Sequence, residues 1–457
     1  MNMKKKIAVL VVLAGIAGLA LPVMNLFVPP PPTKLASFTS DDAETAKVGA
    51  ILSAKCAICH SENPTLPLYG RLPIAKQLMT YDITTAVKHA DYVSELMGGK
   101  PVSEAALAKL EYVVEAGNMP PPHYLIMHWN HLLNADEKAT LKNWARSMRA
   151  KLHAPAGIPE NLKSEVLQPL PDSVDANPAK VALGDKLFHD KRLSKDDTIA
   201  CASCHGLDKG GTDQSKFSTG VGGQMGDINA PTVYNSGFQF IQFWDGRAAN
   251  LAEQADGPVN NPVEMASNWD EVTAKLSQDP EMTQAFLAVY PDGYKKDNYV
   301  DAIAEFERTL ITPSAYDRFL KGDKAALAAE QQRGLETFKE IGCSNCHCGS
   351  ILGGKSFELM GLRDDYFGDR GNVHKPDYGR FNVTQKEGDR FRVKVPTLRN
   401  IKITFPYFHD SSTDDLGKAV EVMAKYQSGV TLTAQQKDDI VKFLESLTGE
   451  YKGQQLK

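Results

Sequence analysis

Three copies of one five-residue pattern, Cys-x-x-Cys-His, constrain this 457-residue chain more than any other feature: Cys56-Ala-Ile-Cys59-His60, Cys201-Ala-Ser-Cys204-His205 and Cys343-Ser-Asn-Cys346-His347. With 7 Cys and 11 His in the chain, about 0.003 such matches are expected by chance. A redox dithiol or half of a zinc site is the competing reading of each copy. Haem attachment is the chemistry that needs both thiols on one short turn and an imidazole directly after them. The thiols add across the haem vinyl groups, and the His is carried under the ring to ligate the iron. The chain is read as a c-type cytochrome with three haems, held by Cys56, Cys59, Cys201, Cys204, Cys343 and Cys346, with His60, His205 and His347 on the irons.

The length fits about three domains, one per motif. A hydrophobic fraction of 42% and a charged fraction of 23% belong to an ordinary globular protein, and a net charge of −5 argues against a nucleic-acid partner. Six of the seven cysteines are consumed by haem attachment, which leaves no material for a disulfide framework. Cys348, next to His347, is read as a passive small residue.

Lys4, Lys5 and Lys6 precede the uncharged run Ile7 to Val28, and Pro29 to Pro32 follow it. A signal peptide cut near Gly18-Leu19-Ala20 is one reading. A run of 22 residues is long enough to span a bilayer, so the expectation is an inner-membrane anchor with the lysines on the cytoplasmic side and the rest in the periplasm. Covalent haem attachment of this kind is completed in the periplasm of Gram-negative bacteria, which agrees. The expected fold is mainly α: three c-type cytochrome domains in tandem after an N-terminal transmembrane helix. The boundaries are 1–28 for the anchor, 29–40 for a proline-rich tether, 41–153 for the first haem domain, 154–175 for a linker, 176–325 for the second and 326–457 for the third.

In the first domain a helix over 41–55 leads into Cys56. Asn134 with Glu137 caps a closing helix whose apolar face is Leu141, Trp144, Ala145 and Met148. Between them Met119, held by Pro120, Pro121 and Pro122, is the expected sixth iron ligand, with His89, His123, His128 and His131 as alternatives. In the second domain Asn177 to His189 is expected to be helical. Gly210, Gly211, Gly220, Gly222, Gly223 and Gly226 suggest a mobile loop over the haem face. The third domain repeats the first: a helix over 328–340, Met423 as sixth ligand, and a closing helix from Thr433 and Gln436 with Ile440, Phe443, Leu444 and Leu447 inward and Gly449 as its end. A haem with both axial positions filled passes electrons but does not easily bind substrate. Two domains read as saturated, and the second does not.

From about Asn177 to Leu447 the chain resembles the bacterial di-haem cytochrome c peroxidases. The resemblance is carried by Asn229-Ala-Pro-Thr-Val, Phe243-Trp244-Asp-Gly-Arg247, Gln254, Gly257-Pro258-Val259, Glu264-Met265, Pro396-x-Leu-Arg399-Asn400, Pro406-Tyr-Phe-His409 and Met423, in order with the two haem motifs. With the anchor and the extra module at Cys56, the whole chain is similar to tri-haem, membrane-anchored members that are thought to take electrons from quinol. The resemblance implies reduction of hydrogen peroxide at the Cys201/Cys204 haem. Glu264 would be the acid/base residue, Gln254 would orient peroxide, and Trp244 would be the conduit between two haems. It also implies quinol or a small periplasmic cytochrome c as donor, a homodimer, and a calcium ion held by Asn229, Thr404 and Pro406. Many family members block the peroxidatic iron with a His in the glycine-rich loop. The matching position here is Val221, which has no donor atom, and Met225 is the nearby alternative. Two rival readings stand beside peroxide reduction. A related di-haem enzyme oxidises a partner protein, but there a Tyr stands where this chain has Met423. A purely electron-transferring cytochrome would have no use for Gln254 and Glu264.

Overall fold

Helix starts in this chain are written by side chains that can accept an N-terminal N–H. The computed structural model describes residues 19–20, 22–28 and 30–457, and the chain divides into two units, Met1–Met148 and Arg149–Lys457. In the first, helix α1 (Ala43–Lys55) begins at Asp42, whose carboxylate accepts the Thr45 N–H at 2.8 Å. Helices α2 (Pro73–His89), α3 (Tyr92–Met97) and α4 (Glu104–Ala116) follow. Asp91 caps α3, Ser103 caps α4, and Gly117, at φ 64°, ends α4. Helix α5 (Ala135–Leu152) opens on the expected reciprocal pair, in which the Asn134 and Glu137 side chains each accept the other's backbone N–H at 2.9 Å. Leu141, Trp144 and Ala145 are buried with Val48, Leu52, Leu107, Leu110 and Val114 in one core. Each such side chain contributes roughly 1.5–3 kcal/mol. The Trp144 indole N–H is not stranded there, since it donates to Thr45 Oγ1 at 2.9 Å.

The anchored, three-domain architecture and the inner-membrane localisation built on it are corrected by this structure. Residues 7–18 and 21 of the expected span lie outside the described residues. Among the described residues no helix is long and apolar enough to cross a membrane. Of the expected span's described residues, 19–20 and 22–27 are helical. Its Asn25 is buried and donates to the Met127 carbonyl at 2.8 Å, so this part of the run packs on protein. The second and third haem motifs do not sit in separate tandem domains either, because one unit holds both.

That unit repeats one construction. Helix α6 (Pro178–Phe188), capped by Asn177, precedes Cys201 and is followed by α7 (Leu251–Asn260), α8 (Trp269–Leu276), α9 (Pro280–Val289) and α10 (Lys296–Arg308). Leu183, Leu187, Val259, Val272, Phe286, Tyr299 and Ile303 form their core. Helix α11 (Ala315–Leu320), α12 (Ala329–Glu340), α13 (Leu416–Met423) and α14 (Ala434–Glu445) belong to the half with the Cys343 motif, with Ile440, Phe443, Leu444 and Leu447 inward as expected and Leu335 and Phe338 buried with them. In both halves the helix before the haem motif meets its partner at a glycine. A Cβ on Gly184 would lie 2.0 Å from the Ala302 carbonyl oxygen, and one on Gly334 would lie 1.9 Å from that of Asp439. Backbones this close leave no room for a side chain. Two antiparallel pairs, β1 (Phe357–Leu359) with β2 (Arg392–Lys394) and β3 (Glu450–Tyr451) with β4 (Gln454–Gln455), are the named strands of the described residues.

Two local expectations meet tertiary structure. The stretch 154–175, read as a linker, buries Leu167 and Leu170, and the Leu170 N–H donates to Asp317 at 2.7 Å. Gly449 does not end α14, which stops at Glu445. Gly449 is instead needed where the chain returns against Thr312, whose carbonyl oxygen would lie 2.1 Å from a Cβ.

Arg399 ties these parts together. It is 1% exposed, forks onto Asp317 at 2.7 and 2.9 Å, and donates to the Ser350 carbonyl. Removing one partner of a buried pair strands the other charge, which costs about 3–5 kcal/mol, whereas an exposed pair is worth under about 1 kcal/mol. Arg399→Ala in the haem-loaded protein is therefore expected to lose about 3–5 kcal/mol in urea unfolding, and Asp292→Ala, which breaks the exposed pair with Lys295, less than about 1 kcal/mol. Equal losses would contradict the tying role.

Candidate functional site

All three motif histidines are set by one device. His60 Nδ1 lies 3.0 Å from the Ala90 carbonyl oxygen, His205 Nδ1 lies 3.3 Å from that of Gly211, and His347 Nδ1 lies 3.1 Å from that of Leu352. A carbonyl can only accept, so Nδ1 carries the proton and Nε2 keeps its lone pair. Burial pushes all three imidazoles below the usual His range, which holds them neutral. A neutral imidazole with a fixed ring and a free Nε2 is a metal ligand in waiting. None of the seven cysteines is paired in a disulfide. Burial pushes the Cys56, Cys201 and Cys343 thiols up to about 12.

Around the third motif the site is a cavity of about 230 Å³. Cys343, Cys346, His347 and Met423 line it together, among apolar walls that include Phe338, Leu398, Ile401, Val420 and Leu444. These residues fit a haem: two thiols for the vinyl groups, an imidazole ligand, a thioether, and an apolar lining for the macrocycle. Met423 reaches the wall because α13 ends on it. Trp244, Asn229, Thr404 and Pro406 line the same cavity. The Trp244 indole N–H donates to the Asn229 carbonyl at 2.9 Å, and its ring stands edge-on to His409, with centroids 6.1 Å apart. The structure therefore brings the expected conduit residue and the expected calcium ligands to one place. Among the described residues the His and carboxylate group compact enough to hold a metal ion is Asp377, His409 and Asp410. The Arg370 guanidinium bridges both carboxylates and already supplies a cation there.

Around the second motif the chemistry is different. Glu264 follows α7 and is half-buried. Burial raises its carboxyl above the usual range, against the Asn261 amide, which donates to it at 2.6 Å, and the charge of Arg247. Its charge adds a little to the upward push that burial gives the Cys201 and Cys204 thiols. The glycine-rich stretch comes to the same spot. The Val221 N–H donates to the Glu264 carbonyl at 2.8 Å, and Thr219 pairs with Met225. A Cβ on Gly220 would lie 2.1 Å from the Val263 carbonyl oxygen, so only glycine lets the loop close on this segment. Met225 is 62% exposed. Gln254 is half-buried on α7 and has no hydrogen bond to Glu264 among the described residues.

The first motif has a third kind of surrounding. Met119 sits on the exposed turn after α4. Two phenols are near enough to feel the Cys59 charge, Tyr69 and Tyr124. Tyr69 Oη lies 2.5 Å from His128 Nε2, and Tyr124 Oη lies 2.7 Å from His131 Nδ1, with the Tyr124 and His128 rings stacked 3.9 Å apart. His123 pairs with Asp82 on the surface at 3.0 Å.

Sequence reasoning passed over two buried charges. Glu307 on α10, which burial alone raises to about 8, is felt at Cys201. Lys394 on β2 lines the third-motif cavity. Neither lies in a recognisable spacing pattern, so only tertiary burial exposes them.

Comparison with known proteins agrees with this arrangement. A family model described as di-haem cytochrome c peroxidase matches residues 178–325, and one described as a haem-binding domain matches residues 22–147. The cytochrome c peroxidase Ccp of Escherichia coli is 47% identical over 415 residues, covering 90% of this chain and 89% of that protein. The cytochrome c551 peroxidase of Nitrosomonas europaea is 43% identical, covering 63% of this chain and 85% of that protein. Among solved structures, a MauG-like protein associated with microbial copper homeostasis superposes with a TM-score of 0.56 at 27% identity, covering 65% of this chain and 95% of that one. With a likeness that runs through nearly the whole length of a peroxidase, this haem c protein belongs to the di-haem cytochrome c peroxidase family.

Proposed function

We propose that the protein reduces hydrogen peroxide to water at the Cys201/Cys204/His205 site, with Glu264 moving the proton. The observation that carries this reading is the half-buried Glu264 carboxyl, raised by burial, on a segment whose backbone holds the Val221 N–H of the loop after the second motif at 2.8 Å. Haem c, when bound, supplies the iron through which two electrons reach the O–O bond. Glu264 accepts a proton from one peroxide oxygen and returns it to the other, so that H2O2, two electrons and two protons leave as two waters. Gln254 orients the peroxide by hydrogen bonds. Val221 offers no side-chain ligand, and its N–H is engaged with the Glu264 carbonyl, which favours an iron face that is open at rest. Trp244, on the wall of the Cys343/Cys346 cavity, is the electron conduit. His347 and Met423 would hold the iron there, and Met423 in the cavity wall speaks against the Tyr-ligated enzymes that oxidise partner proteins. A calcium ion at Asn229, Thr404 and Pro406 would find only oxygen donors.

The finer reading is a third haem at Cys56, Cys59 and His60, with Met119 as second ligand, acting as entry port for electrons from quinol. Two features support quinol over a soluble cytochrome c. Ile74, Leu68, Ile126 and Leu132 are all at least 60% exposed in the unit that carries this motif, a surface suited to an apolar donor. The Tyr69–His128 pair offers a neutral imidazole behind a phenol, which can take up the protons that quinol must shed along with its electrons.

Glu264→Gln is expected to cut the steady-state rate of peroxide reduction by about 10²–10⁴-fold while haem content and reduction of the irons stay intact. The parent enzyme is expected to lose rate as pH falls through a value above the usual 4.5 of a Glu carboxyl, because the base must be ionised to take the first proton and burial moves that ionisation upward. A variant with an unchanged rate would return the chain to the purely electron-transferring reading. With reduced quinol as donor, Tyr69→Phe is expected to slow turnover more than it slows turnover with a reduced soluble cytochrome c. Turnover with the cytochrome alone would remove quinol from the account and leave peroxide reduction in place.

A further inference from the structure

Lys394, the last residue of β2, is 4% exposed, yet it lines the cavity that Cys343, Cys346, His347 and Met423 share. Its ammonium donates to Gln239 Oε1 and, at 3.2 Å, to the Ile241 carbonyl. Both partners are neutral. Among the described residues no carboxylate lies within ion-pair distance of it, and the acid whose charge it feels is Asp245. Burial pulls the ammonium down to about 7. A buried cation with only neutral partners is costly, and proteins keep one where an anion comes to meet it.

The cavity is lined largely by apolar side chains, with Glu358 as the one carboxylate on its wall, and the cofactor it fits carries two carboxylates on an apolar ring. We propose that Lys394 seats a propionate carboxylate of the haem attached at Cys343 and Cys346, and by its positive charge raises that haem's reduction potential. The sign follows from charge: reduction removes one positive charge from the iron, so a nearby cation favours the reduced form. The same residue fixes the conduit, because the Lys394 N–H donates to the Trp244 carbonyl at 2.9 Å. Lys394 is thus a positioning residue that sets both the energy of the donor electron and the backbone of the residue it passes.

The inference rests on a haem being held at Cys343 and Cys346, which the haem content of the parent protein tests separately. The experiment is a spectroelectrochemical titration of the haem-loaded protein and its Lys394→Met, Lys394→Gln and Lys394→Arg variants. The transition of the Cys343/Cys346 haem is identified as the one that moves in Met423→His. Lys394→Met is expected to shift that transition to lower potential with haem content and the other transitions unmoved, and Lys394→Arg to restore it. Should the Met variant fail to load haem, Lys394→Gln, which keeps a polar head without charge, is read by the same criteria. A fully loaded neutral variant with an unshifted transition, or one in which all transitions move together, would overturn the assignment.

Discussion

A hydrogen bond from Nδ1 of an imidazole to a backbone carbonyl is the constraint on which this molecule depends, and it occurs three times. The acceptor lies 30 residues beyond His60, 6 beyond His205 and 5 beyond His347. In each case the path of the chain after the motif is what delivers it. The bond fixes the ring, chooses the tautomer and leaves Nε2 for iron. Burial adds the second requirement by holding the ring neutral. With two thiols already on the preceding turn, the positions of the donors are settled before any cofactor arrives.

What differs between the sites is the wall around the motif. At Cys343 that wall is apolar and carries Met423, an arrangement suited to storing and passing electrons. In the Cys201 half the glycine-rich loop instead closes at Gly220 on the segment that carries the half-buried Glu264, to which the proposed function gives the movement of protons. Both are built on the same helix crossing, at Gly184 and at Gly334. The unit therefore keeps one scaffold and varies the lining. Arg399 and Asp317 lock the segment near 350 and the return at 168–170 to that scaffold, which is why one unit forms where two tandem domains were expected.

Legibility in the sequence followed the range of the interaction. The haem motifs, the caps at Asn134 and Thr433, and the inward faces of α5 and α14 depend on neighbours within a few residues, and the sequence displays them. Met423 and Glu264 were legible through family order; Met423 lines the cavity of the third motif, and Glu264 is half-buried after α7 beside the glycine-rich loop. Gly449 was misjudged because its reason is the Thr312 backbone, far away in sequence. The stretch 154–175 buries Leu167 and Leu170, and the acceptor of the Leu170 N–H, Asp317, lies 147 residues on. The apolar N-terminal run satisfied a length rule for membranes, while Asn25 in its described part is buried against protein. Lys394 and Glu307 carry no pattern at all. Their meaning is in what surrounds them.

The central claim is that each of the three motifs holds its own covalent haem. The most direct measurement is the intact mass of the purified, denatured protein, with and without Cys56→Ala and Cys59→Ala together. The account predicts a chain carrying three haems that falls to two in the double variant. A parent protein carrying two haems, unchanged by that variant, would contradict it and reduce the first unit to a domain with the motif but without the cofactor.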